Sequence, residues 1–129
     1  MPIDLKILGW SVLLGLVYLL LAAALGTRQR GLGWNASSRD TEPAPLTGVT
    51  ARADRASRNF METFAFFAAA VLAVVLAQRN NAHTALGAEI YFWARVVYLP
   101  VYLAGIPYLR TLIWAVSLWG ILQVLEALL

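Results

Sequence analysis

Residues 55–62 read Arg-Ala-Ser-Arg-Asn-Phe-Met-Glu. Arg55, Arg58, Asn59 and Glu62 therefore follow the i, i+3, i+4, i+7 spacing that puts side chains on one face of an α-helix. Arg52 lies at the edge of that face. Further along, Tyr91, Arg95, Tyr98 and Tyr102 fall on a second helical stripe, and Arg110 stands one turn before Trp114. Guanidiniums gathered in one place ask for an anion with more than one carboxylate or phosphate. A lone glutamate among them accepts an ammonium group or orients an arginine. Tyrosines add hydroxyls and flat apolar surface. The chain has no cysteine, which excludes a thiol nucleophile, a thiolate metal site and a disulfide. His83, the single histidine, cannot make a metal site alone. Any reactive group must arrive with a ligand.

The elements that carry these residues belong to a membrane protein. Only 13% of the 129 residues are charged, against roughly 25% in soluble domains, and the apolar residues come in long blocks. Residues 7–26 are uncharged, and about 20 apolar residues suffice to cross a bilayer. Ala22-Ala23-Ala24 resembles a signal cleavage site, but the apolar stretch is long for a signal peptide and only Lys6 precedes it. Residues 27–50 are polar and read as a loop, with a short ordered piece expected near Pro43 and Pro45. The pattern predicts helices over about 5–27, 51–78, 85–105 and 107–128, with a bend at Pro100. Pro107 suits the first turn of the last helix, so the last two helices are antiparallel neighbours. The fold class expected is all-α, a single domain forming a bundle of four transmembrane helices.

Ala65, Ala69, Ala73 and Ala77 continue the arginine-bearing face of the second helix deeper into the membrane. Small residues at every fourth position let helices approach closely. The polar face and the packing face merge, which is expected to place the polar groups between helices. The net charge of +3 arises from basic residues set among apolar helices, with no nucleic-acid-binding motif. Two readings of the arginines need no ligand. Arg28, Arg30 and Arg39 fit interfacial anchors that snorkel to lipid phosphates, and the deeper set fits a buried Arg–Glu network that holds helices together.

The helix-two segment Arg55-Ala56-Ser57-Arg58-Asn59-Phe60-Met61-Glu62-Thr63 resembles the Arg, Asn and Glu motif of the membrane-associated proteins in eicosanoid and glutathione metabolism, the MAPEG family. Arg95 with Tyr102, then Pro107 with Arg110, resembles that family's pattern in helices three and four. The resemblance covers nearly the whole chain. It implies a homotrimer that binds glutathione between subunits near the cytoplasmic side. Arg55, Asn59 and Glu62 would grip the tripeptide, Arg95 and Tyr102 would complete the pocket, Arg28 would reach a carboxylate, and Arg110 would stabilise the thiolate. The prostaglandin-synthase branch has histidine where this chain has Tyr98 and serine where it has Thr111, which argues against a specific eicosanoid isomerase. The chain looks like the short bacterial members, which implies a bacterial inner membrane. The expected function is glutathione-dependent conjugation, or peroxide reduction, of a hydrophobic electrophile from the lipid bilayer. The alternative is a lipid-binding member without catalysis.

Orientation follows from the positive-inside rule. Arg28, Arg30, Arg39, Arg52, Arg55, Arg58 and Arg110 share one side, while Lys6 and Arg79 hold the other. Both termini are therefore expected outside the cytoplasm. A reporter that is active only in the cytoplasm, fused after Leu129, should be silent; a strong signal would reverse the orientation.

Overall fold

The apolar run that opens the chain forms α1, Ile3–Arg30. Asp4 in its first turn and Arg28 and Arg30 in its last turn complement the helix dipole. Gly31, at φ 93°, ends it in a conformation that a Cβ would disfavour. A short helix α2, Leu32–Ala36, follows at once. The ordered piece of the first loop thus lies here and not near Pro43 and Pro45, where the chain is irregular. Two prolines in three residues remove backbone donors from that stretch. The remaining helices are α3 (Gly48–Leu76), α4 (Ala82–Leu103) and α5 (Pro107–Leu125), followed by a 3-10 turn at Glu126–Leu128. The computed structural model covers residues 1–129 and contains no strand.

Local chemistry explains the junctions. Asn81 starts α4 with a capping box: its side chain accepts from the backbone N–H groups of His83 (2.8 Å) and Thr84 (3.0 Å), and Thr84 Oγ1 accepts from the Asn81 N–H (2.8 Å). Pro100 removes one intrahelical donor, and α4 stops one turn later at Leu103. Gly105, at φ 76°, turns the chain, and Pro107 opens α5. The α4–α5 link is so short that the two helices must pack side by side.

Their packing is close because each offers a glycine to the other. A Cβ at Gly120 would lie 2.6 Å from the Gly87 carbonyl oxygen and 2.7 Å from the Tyr91 amide nitrogen. On the other side, α1 packs along α3, and the Phe60 ring lies against Gly15. One core group lies toward the termini and joins Phe67, Val71 and Val74 to Tyr91 and Val124. A second, aromatic group lies beneath the arginines and joins Tyr18, Phe60, Tyr98 and Tyr102.

Only 26 of the 129 residues are buried, and exposed Leu, Val, Phe and Trp side chains cover the flanks. Such an exterior suits lipid, not water. Three stretches are long and apolar enough to cross a membrane: Ile3–Arg30, Gly48–Leu76 and Pro107–Leu128. α4 is not among them, because Glu89, Arg95 and its aromatic residues lower its hydropathy. The alanine stripe differs from expectation within the chain: Ala65, Ala69 and Ala77 are exposed and Ala73 is half-buried. The inward side of α3 is taken by Ala56, Phe60, Phe67 and Val74, so the small residues point away from the bundle.

The glycine contact yields a measurable expectation. Gly120→Ala should destabilise the protein by roughly 1–3 kcal/mol, the usual cost of overpacking, because both clashing atoms are backbone. Gly9, with open space around its Cβ position, is the control. Thermal unfolding in detergent should leave Gly9→Ala unchanged or slightly stabilised.

Candidate functional site

At the arginine end, Tyr102 is the point where three helices meet. It lies in the last turn of α4 with its ring buried. Arg55 of α3 donates from Nε to the Tyr102 hydroxyl at 3.1 Å. Arg110 of α5 places its guanidinium carbon 4.9 Å from the centre of the same ring. Arg52, one turn before Arg55, donates to the Leu103 carbonyl at 3.0 Å and so ties α3 to the end of α4. None of these arginines has a carboxylate partner; the ion pairs of the chain are Arg58–Asp54 and His83–Glu126. The Tyr102 oxygen accepts from Arg55, so its own proton remains free to donate elsewhere.

Behind this group lies Arg95. Its residue is 0% exposed, and none of its three guanidinium nitrogens has a hydrogen-bond partner in the protein. It rests on aromatic faces instead: the guanidinium carbon is 4.2 Å from the Tyr98 ring centre, 5.4 Å from Phe60 and 5.8 Å from Tyr18. The Tyr18 hydroxyl donates to the Arg95 carbonyl, which clasps α1 onto α4. Tyr98 in turn contacts Tyr102 at 5.5 Å between ring centres. Arg95 is thus closed off from solvent and lies behind the Tyr98–Tyr102 pair.

The other expected residues lie on α3 and in the last turn of α1. Asn59 is half-buried, and its Oδ1 is enclosed without a partner. Glu62 is exposed and pairs with no cation. It borders a recess on the α1 side of α3, away from Tyr102. Arg28 is exposed and lies outside that recess. The chain thus brings together Arg55, Tyr102 and Arg110, with Arg95 behind them, and leaves Glu62 and Arg28 apart. Sequence reasoning missed Tyr18 and Phe60. Tyr18 had one signal, a lone phenol in an otherwise apolar run, where a buried hydroxyl needs a partner.

The sequence model of the MAPEG family matches residues 7–128, and the chain belongs to that family. No curated protein and no solved structure matches it.

The two tyrosines should separate by mutation. Tyr18→Phe removes a buried hydrogen bond and should cost about 0.5–1.5 kcal/mol of stability. Tyr102→Phe frees the already exposed Arg55 and should cost less, while altering whatever the group binds. Equal losses of melting temperature would mean that Tyr102 is a structural clasp as well.

Proposed function

We propose that this MAPEG-family chain is a glutathione-dependent transferase or peroxidase acting on a hydrophobic electrophile at the membrane interface. The supporting observation is the Arg55–Tyr102–Arg110 group, two guanidiniums on one phenol with no carboxylate to neutralise them. Glutathione answers that chemistry with two carboxylates, an ammonium group and a thiol. Arg55, Asn59 and Glu62 grip the tripeptide, Arg28 reaches a carboxylate, and Tyr102 donates its free proton. Arg110 faces the sulfur, while Arg95 completes the pocket from behind by holding Tyr98 and adding charge.

The chain acts as a homotrimer. The outward alanine stripe suits close helix contact. Beside it, an apolar groove of about 520 Å³ runs between α3 and α5, lined by Phe66, Ala69, Ala73, Leu118 and Leu122 among others. A neighbour seated there brings a second polar surface to the exposed Glu62. α4 also crosses the bilayer: its 22 residues extend about 33 Å, and its short link to α5 requires it to return antiparallel. The arginine end is cytoplasmic, by the charge asymmetry.

A thiol attacks as its thiolate, and a nearby cation lowers its pKa. Arg110 stays charged and acts by electrostatics and hydrogen bonding, never as a proton acceptor. The thiol proton leaves to solvent. In conjugation the sulfur forms a C–S bond as the leaving group departs. With a hydroperoxide, the sulfur takes an oxygen and releases the alcohol, and a second glutathione reduces the sulfenic acid to water and disulfide. The wholly apolar character of the α3–α5 groove favours a second reading, a lipid-binding protein without catalysis.

Calorimetric titration of glutathione into the purified protein tests the first reading. Arg110→Ala should lower thiolate absorbance and turnover roughly 10–100-fold, the equivalent of one charge-assisted hydrogen bond, with binding largely kept. Glu62→Gln should weaken binding and leave the trimer intact. No thiolate signal in the wild type despite bound glutathione would favour the lipid-binding reading, and normal turnover in a folded Arg110→Ala trimer would remove Arg110 from the mechanism.

A further inference from the structure

On the far side of α3 from Tyr102 lies a recess of about 620 Å³, enclosed by the end of α1, the first loop and the start of α3. Its upper wall is polar and carries Arg30, Arg39 and Arg58. Arg58 is paired with Asp54 at 3.1 Å. Arg30 and Arg39 have no carboxylate partner anywhere in the chain. Its floor is apolar and includes Leu19, Ala22 and Met61.

The two unpaired guanidiniums are held in place. Arg30 donates from Nε to the Ala44 carbonyl at 2.9 Å. Arg39 donates to the Asn35 carbonyl from Nε at 3.1 Å and from Nη2 at 3.0 Å, and to Asn35 Oδ1 at 2.6 Å. Both lie 5.5 Å from the centre of the Trp34 ring. The Trp34 indole donates to Thr41, and Asn35 donates to Thr27 at the end of α1. An arginine that merely snorkels is free at its tip; these two are fixed by backbone carbonyls and a shared ring. Both terminal nitrogens of Arg30 and one of Arg39 still have donors to spare.

The recess is graded by depth. Ala22 and Leu19 precede Arg30 by 8 and 11 residues of the same helix, so they lie about 12–16 Å deeper toward the bilayer centre. Met61 lies one turn deeper than Arg58 on α3. The top of the recess is thus suited to an anion and the bottom to hydrocarbon. Glutathione is polar throughout and would leave that floor against water. A free phosphate would leave it empty.

We infer that this recess is a phospholipid site, with a phosphodiester between Arg30 and Arg39 and acyl chain over Leu19, Ala22 and Met61. It is separate from the thiol site proposed above, apart from Glu62 on the shared wall. The lipid would brace the first loop against α1 and α3, which the loop's polar contacts alone hold only from outside.

The test measures the melting temperature of the full chain in mild detergent against three probes. These are dioleoyl phosphatidylglycerol, dioleoylglycerol (chains without phosphate) and glycerophosphate (phosphate without chains). Only the phospholipid should raise the melting temperature, saturably and at one molecule per chain. Arg30→Gln with Arg39→Gln should weaken that effect at least tenfold, whereas Arg28→Gln, outside the recess, should keep it. If the double variant does not fold, Ala22→Phe fills the floor without touching the arginines and should weaken the effect likewise. An equal response to dioleoylglycerol would reduce the site to a greasy groove. An equal response to glycerophosphate would make it a free-anion site. Equal loss with Arg28→Gln would make it diffuse surface charge. Displacement of bound lipid by glutathione would assign the recess to the thiol site, and that result would overturn this inference while supporting the proposed function.

Discussion

The structure hinges on a cation that has nowhere to go. Arg95 lies inside the bundle without a single hydrogen-bond acceptor from the protein. Removing an ion from water costs several kcal/mol even after relaxation. Desolvated cation–π contacts return about 2 kcal/mol or more each, and Arg95 has three such faces, from α1, α3 and α4. Those helices must therefore close around it together. Tyr18 seals the enclosure from α1, and its bond to the Arg95 carbonyl fixes the depth at which α1 meets α4. The Tyr98–Tyr102 contact then carries that fixed position outward to Arg55 and Arg110.

The rest of the fold can be read as support for that stack. The short link from Leu103 to Pro107 holds the start of α5 beside the end of α4, where Arg110 overlies Tyr102, and the Gly87–Gly120 contact keeps the two helices close farther along. The bond from Arg52 to the last carbonyl of α4 keeps α3 in register with the same ring. α3 consequently has three functions on three sides. One side packs against the aromatic core, one presents Arg55 to Tyr102, and one closes the recess beneath the first loop.

That loop is ordered by polar contacts, not by a core of its own. Trp34 between two arginines, Asn35 on Thr27, and Gln29 paired with Thr47 pin it over the end of α1. Such contacts are individually weak at a surface. Their number accounts for a polar loop of this length folding back on the bundle.

The sequence by itself determined the helical class, the apolar stretches and the polarity of the two ends, because hydropathy and helical spacing act locally along the chain. It also determined that Arg55, Asn59 and Glu62 share a helix with Arg52 and Arg58, since that follows from spacing alone. Spacing says which residues share a face, but not what that face meets. Only the tertiary structure decided that Arg55 turns to Tyr102 while Glu62 borders a different recess, because neighbouring helices divide the polar side of α3 between them. It alone decided that the alanine stripe points outward, since Phe60, Phe67 and Val74 take the inward side by burying more surface. And it alone sealed Arg95 behind Tyr18: the two are 77 positions apart, and no local pattern records a contact that exists only when α1 and α4 pack.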